Sequence, residues 1–217
     1  ARQWSHFAGI VGAGLVTYAF DQEIFDFFQE QKTSTTENLS KYFIEPWGSG
    51  LYTLPLLAGI YVSGAKHSRH RRIALTGIKA YLLSGGAAVV SKHLFHRHRP
   101  DDDLPPDPRK WEGPFPFTSS YTSFPSGHTT TAFAVATVLA MGYHDKIWVG
   151  ISSYTLASLG AVSRIHDGKH WGSDVVAGAA LGFFRGATLS KINLKKVDVG
   201  PAAFHGGQGI SIRWAVN

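Results

Sequence analysis

Residues 123–138 run SFPSGHTTTAFAVATV, a Pro-Ser-Gly-His turn that opens directly onto an uncharged apolar stretch. Pro125 and Gly127 are ordinary loop residues and Ser126 is an ordinary helix cap, so punctuation alone explains most of the turn. His128 raises a second reading, because backbone N–H groups at a helix start bind anions and an imidazole there can move a proton. Two further stretches supply what an anion site needs. KHLFHRHRP carries Lys92 and Arg99, and SRIHDGKHWGSD carries Arg164, His170 and Asp174. Lys92, Arg99 and Arg164, converging with the N–H groups near Ser126 and Gly127, make a phosphate cradle of one point charge, two planar forks and a helix N-terminus. His170 and Asp174 stand at i, i+4 and share a face if that stretch is helical. A carboxylate there holds one ring nitrogen protonated and leaves the other free to attack, while His128 protonates the departing oxygen. Together these residues describe a phosphoryl-transfer site.

Each residue also has an ordinary reading. Lys92 and Arg164 can be helix-end cations that extend toward water, and Asp174 can be a first-turn carboxylate favoured by the helix dipole. Taken singly the two readings balance; the ordered spacing favours the joint one. His93, His96, His98 and His166 are left without a role. A metal-dependent hydrolase is an alternative, since His166 and His170 are also at i, i+4, His96 and His98 are close, and Asp101–Asp103 offer oxygens. Gly168 weakens the helix that such a histidine pair needs.

Lys-x6-Arg-Pro at Lys92, Arg99 and Pro100, Pro-Ser-Gly-His at 125–128, and Ser-Arg-x5-His-x3-Asp at Ser163, Arg164, His170 and Asp174 follow one another in order. This series resembles the type 2 phosphatidic-acid phosphatase superfamily, which also contains soluble bacterial acid phosphatases and vanadium haloperoxidases. The likeness is close over 92–174. It implies a metal-free double displacement with no cofactor. His170 attacks phosphorus, His128 protonates the leaving group, and water hydrolyses the phosphohistidine. Lys92, Arg99, Arg164 and the Ser126–Gly127–His128 segment hold the phosphoryl oxygens. A soluble acid phosphatase, a vanadate-dependent peroxidase and a non-enzymatic lipid-phosphate binder are the competing expectations.

Those residues need elements that bring them together. The 217-residue chain is long enough for one domain, carries 21 Lys+Arg against 15 Asp+Glu, and has no cysteine. The positive balance suits phosphate or an anionic membrane face. Nucleic acid is not expected, because no basic stripe interleaves with stacking aromatics. Absence of cysteine excludes disulfides and thiolate zinc sites. Runs without Asp, Glu, Lys or Arg cover 3–20, 46–65, 113–144 and 147–163, near the length that crosses a bilayer. Residues 1–20 lack a signal-peptide pattern.

Six apolar helices are expected, at 5–20, 48–65, 73–95, 127–143, 147–163 and 173–190. They imply an all-α, six-helix transmembrane bundle. The polar stretch after helix one, with Ile24, Phe25, Phe27 and Phe28, is expected along the membrane interface. The proline-rich 100–124 is expected as a long ordered loop or lid, and GISIRW in the tail as one short strand. KHSRHRR (66–72) is the most basic connection, which the positive-inside rule places in the cytoplasm. Counting spans from it puts 21–45, 92–124 and 164–174, and so all three motifs, on the opposite side. The expectation is a single phosphatase domain over 1–217, with a tail from 191. It is an integral-membrane lipid phosphatase of a bacterial inner membrane, with its site facing the periplasm or exterior. A polyprenyl diphosphate, phosphatidylglycerol phosphate, phosphatidic acid or a lipid A phosphate is its substrate.

Overall fold

Helices occupy all six apolar stretches, and their ends carry the three motifs. The computed structural model describes the backbone of residues 2–114, 121–194, 197–204 and 207–214, and the side chains of 8–114 and 121–194. The apolar helices are α1 (Arg2–Ala19), α5 (Thr53–Ser63), α6 (Arg69–Phe95), α7 (Gly127–Gly142), α8 (Ile147–His166) and α9 (Gly172–Asn193). Of these, α6 and α9 are long and apolar enough to cross a bilayer, while Ala8–Ala19 and Thr53–Ser63 are shorter apolar helices. Helix α5 begins five residues later than expected, because Gly50 takes a left-handed conformation (φ 90°) and ends the preceding helix.

The stretch between α1 and α5 departs from the expectation of six helices joined by loops. It folds as α2 (Asp21–Glu30), α3 (Ser34–Leu39), a π-helical turn (Ser40–Ile44) and α4 (Glu45–Ser49). Thr33 and Thr36 form a reciprocal capping box at the start of α3. Nor is α2 simply an interfacial helix. Ile24 and Phe28, at i, i+4, pack against Ala161, Ile165 and Val175, and Phe25 lies on Trp171; only Phe27 of the four stays exposed. Hydrogen bonds tie this segment to the end of α8: Gln29 Nε2 to the His166 carbonyl (3.2 Å), Ser40 Oγ to Asp167 Oδ2 (2.7 Å), and Thr36 Oγ1 with His166 Nε2 (2.9 Å).

Helix α7 is central, packed against α6, α8 and α9. Its contact with α9 runs along Gly178, Gly182 and Gly186, spaced four apart. A Cβ at Gly178 would stand 2.6 Å from the Ser126 carbonyl oxygen, and one at Gly186 2.5 Å from that of Ala134. Only a glycine face lets the two backbones come this close. The buried side of the bundle holds Ser84, Thr129, Thr130, Thr137 and Ser190, whereas Leu82, Val90, Ile151, Val162, Phe183 and Phe184 face outward.

The helices alternate in direction, so their loops fall at two ends. At one end Arg69 donates to the Gly142 carbonyl (2.9 and 2.6 Å) and pairs with Asp145, and His70 meets Tyr143. The other end gathers the C-termini of α6 and α8 and the N-termini of α7 and α9. The loop after α6 is ordered: Arg97 bridges Trp111, and the Ser123 N–H donates to the Arg97 carbonyl (3.0 Å). Residues 115–120 of the expected lid lie outside the described residues. The tail is not one strand but two, β1 (Val197–Phe204) and β2 (Gly207–Trp214), paired antiparallel, which adds a β element to the all-α expectation. Gly200 and Pro201 break the alternation in β1, so its pattern is hidden in the sequence.

Candidate active site

All eight expected site residues gather at the end where α6 and α8 stop and α7 and α9 start. Lys92, in the last turn of α6, reaches the Thr122 carbonyl, and Arg99 Nη2 donates to Thr122 Oγ1 (3.2 Å). The two cations of the first motif thus meet on the segment that precedes the second. The Lys92 stem passes beside Gly127, its Cε 3.7 Å from the place of a Cβ there.

The helix start contributes less than expected from Ser126 itself. The Ser126 N–H donates to the Asp174 carbonyl (3.0 Å), a contact that the close approach at Gly178 permits. It therefore does not face an anion. The first ladder bond of α7 runs from the Thr130 N–H to the Ser126 carbonyl (2.9 Å). The N–H groups of Gly127, His128 and Thr129 precede that ladder and are the candidate anion donors of this helix start.

Arg164 is buried at the end of α8. Its Nη1 meets Glu45 Oε1 at 3.1 Å and its Nη2 meets Asp167 Oδ2 at 2.6 Å, while its buried Nε has no hydrogen-bond partner. The cradle is thus not three unopposed cations, because two carboxylates hold Arg164 in place. An orphaned buried donor carries a desolvation penalty that an incoming oxyanion relieves. Glu45 also stands 3.7 Å from His128 Nε2. Nothing in EPWG marked Glu45 for this place, since only the fold of α4 brings it there. His128 and Lys92 line a groove of about 260 Å³ with Gly85, Ala88 and Val89.

The His170–Asp174 relation also differs from a shared helix face. His170 precedes α9, in a turn closed by Gly168 (φ 68°) and by the His170 N–H on the Arg164 carbonyl (3.2 Å). Asp174 Oδ2 reaches back to the Trp171 N–H (2.9 Å), so the carboxylate does cap the helix start. It also receives the Ser123 hydroxyl at 2.5 Å. His170 Nδ1 is 3.5 Å from Ser123 Oγ and 3.8 Å from Asp174 Oδ2. Ser123, unremarked in the sequence, therefore stands beside the imidazole and the carboxylate together. Burial pushes the His170 imidazole down to about 3, with Asp174 opposing that shift and Lys92 and Arg99 adding to it. That shift favours the neutral ring, and a proton held on Nδ1 by Ser123 and Asp174 leaves the lone pair on Nε2.

Three of the histidines without an expected role hold contacts within the fold. His98 lies between Asp103 (2.5 Å) and Glu112 (3.0 Å) and stacks on Tyr121, and His96 Nδ1 meets the Gly113 carbonyl (2.7 Å). His166 faces Thr36 and Asp167 whereas His170 faces Ser123 and Asp174, so the pair does not converge as metal ligands would. Among the described residues no group of three or more His, Cys, Asp or Glu side chains is placed to hold a metal ion.

The chain is similar to known proteins in sequence and in fold. The chain is 32% identical over 138 residues to a lipid A 1-phosphatase of Porphyromonas gingivalis, which covers 61% of this chain but 27% of that protein. It is 26% identical over 183 residues to an undecaprenyl-diphosphatase of Sulfolobus acidocaldarius, covering 84% of this chain and 81% of that one. The chain thus spans only about a quarter of the first relative's length and most of the second's. The crystal structure of Aquifex aeolicus LpxE superposes with a TM-score of 0.60 at 24% identity, over 79% of this chain and 95% of that one. The sequence profile of the PAP2 superfamily matches residues 74–198, a span that includes all three motifs and runs from α6 through α9. With more than half of its length inside that profile, the chain belongs to the PAP2 superfamily.

Proposed function

We propose that the protein is an integral-membrane lipid phosphatase that hydrolyses a lipid phosphomonoester or diphosphate through a phosphohistidine, without a metal ion. The observation that carries this reading is the buried His170, its Nδ1 facing Ser123 and Asp174 at the end where Lys92, Arg99 and Arg164 gather. His170 Nε2 attacks phosphorus as the bond to the leaving oxygen breaks. His128 gives that oxygen its proton, then takes one from the water that releases phosphate. Lys92, Arg99, the orphaned Nε of Arg164 and the N–H groups of Gly127 and His128 bind the phosphoryl oxygens as charge spreads over them. Ser126 and Asp174 fix the start of α7 against that of α9.

The groove beside Lys92 and His128, walled by Gly85, Ala88 and Val89, offers apolar contact for the first carbons of a lipid tail. Relatives named for lipid A 1-phosphate and for undecaprenyl diphosphate favour those two headgroups as substrates. A panel of both with phosphatidylglycerol phosphate and phosphatidic acid, presented in detergent, should release phosphate from at least one member. That activity should survive EDTA and fall with orthovanadate, which mimics five-coordinate phosphorus. Loss of activity in EDTA with recovery on adding zinc or magnesium would overturn the metal-free mechanism.

Outward-facing leucine, valine and phenylalanine on α6, α8 and α9, over a polar interior, support membrane embedding. The basic 66–72 connection then lies in the cytoplasm and the site faces outward. Because the chain has no cysteine, single-cysteine variants report sidedness cleanly. In intact cells an impermeant maleimide should label Leu104→Cys, a position 96% exposed in the loop after α6, and leave Lys66→Cys unlabelled. The reverse pattern would invert the topology.

A further inference from the structure

Arg97 is a fully enclosed charge, and the mechanism above does not use it. Its side chain is 0% exposed, as is that of Asp21. All five of its N–H donors are engaged. Nη1 donates to Asp174 Oδ1 (2.6 Å) and Ser173 Oγ (2.7 Å), Nη2 to Asp21 Oδ2 (2.7 Å) and the Pro108 carbonyl (2.7 Å), and Nε to the same carbonyl (3.2 Å). The rings of Tyr18, Trp111 and Trp171 surround the guanidinium at 4.7–5.6 Å. Asp21, at the start of α2, accepts the Ser173 N–H (2.8 Å) and Ser173 hydroxyl (2.5 Å) as well. Gly172, whose Cβ would stand 2.9 Å from Thr17, lets the α1–α2 junction approach this closely. Burial raises the Asp21 carboxyl above its ordinary value and the Arg97 and Ser173 donors oppose that shift. The 2.7 Å ion pair with Arg97, together with the Ser173 N–H, holds Asp21 as a carboxylate.

The cluster therefore holds two carboxylates and one guanidinium, a net charge of −1 in a site shielded from water. His170 Nδ1 lies 3.8 Å from its Asp174 edge. When the His170 Nε2 lone pair forms the N–P bond, the P–O electron pair leaves with the oxygen that His128 protonates. The imidazole keeps its Nδ1 proton and becomes cationic. At that moment the cluster and the ring sum to zero. With a neutral residue at 21, Arg97 would already cancel Asp174 and the new cation would face no net counter-charge. We propose that Asp21 is a positioning residue: through Arg97, which also anchors Asp174, it keeps the Asp174 charge available to His170 during phosphoryl transfer. Asp21 lies outside the 74–198 span that the family profile matches.

This inference rests on His170 as the nucleophile, and the test separates the two. Purified enzyme in detergent is mixed with a ³²P-labelled lipid phosphate and quenched rapidly to follow phosphoenzyme formation. Asp21→Asn should slow that step at least tenfold with KM changed less than threefold. Asp21→Asn combined with Arg97→Gln restores the net −1, and should bring the step back to within tenfold of the native rate. A smaller effect of Asp21→Asn, or a double variant no faster than the single one, would overturn the proposal. Should Asp21→Asn fail to fold, the double variant decides alone: a loss above tenfold in folded protein counts against it. Label on a residue other than His170 would bring down both readings. Label on His170 with an unaffected Asp21→Asn would bring down this one only.

Discussion

Replacing His170 with alanine should end turnover, with a loss on the order of 10⁵ to 10⁶ in kcat, the scale seen when a covalent nucleophile is removed. Neither the nearby hydroxyl nor the nearby amine is free to take over. The Ser123 hydroxyl is committed to Asp174 at 2.5 Å, and Lys92 is engaged at the Thr122 carbonyl. The cradle of Lys92, Arg99 and Arg164 stays in the variant, so the phosphate headgroup should still bind with similar affinity. The measurement is phosphate release together with an acid-labile, base-stable phosphoenzyme, present in the native enzyme and absent in the variant. Turnover within a hundredfold of native would remove His170 from the nucleophile's role.

His128→Ala should divide substrates by how much their leaving group needs a proton. A lipid alkoxide is a poor leaving group, and losing its acid should slow phosphoenzyme formation by on the order of 10² to 10⁴, or about 3–5 kcal/mol of barrier. Nitrophenolate departs without a proton, so the burst of nitrophenol from p-nitrophenyl phosphate should slow less than about tenfold. The burst is the correct readout, because His128 also serves the water step and steady-state turnover mixes the two. Glu45, 3.7 Å from His128 Nε2, is the described carboxylate facing that nitrogen, between the ring and Arg164. Equal losses on both substrates would reject His128 as the leaving-group acid.

Much of this protein is legible along the chain because the relevant signals are local. Apolar runs declare helices through their own composition, and the structure has helices at all six. The direction of each helix then follows from alternation, so the order of the loops already implies which of them share an end. Lys92, Arg99, Arg164, His128, His170 and Asp174 stand out because their types at those spacings suit phosphate chemistry. Other features are long-range, and these the sequence conceals. Arg97 and Arg99 are two residues apart, a spacing that would put both on one face of a regular strand, but the segment after α6 is irregular. One turns into the buried cluster and the other toward Thr122, and nothing in HRHRP says which.

Asp21, Ser123 and Glu45 acquire meaning only from partners across the chain: Arg97 for Asp21, Asp174 for Ser123 and Arg164 for Glu45. Their local sequence marks them as ordinary polar residues. The polar 21–49 segment reads as a connection because short helices draw their stability from docking, here onto the end of α8. Ser126 shows the same division within one residue. Its sequence marks a helix start, while the fate of its N–H depends on how close α9 comes. The sequence by itself determined the six apolar helices, their order and the candidate reacting groups, since those rest on composition and spacing. Tertiary structure alone decided which charges oppose, shield and orient those groups, because a buried ion pair or a backbone contact at Gly178 exists only once distant segments have packed.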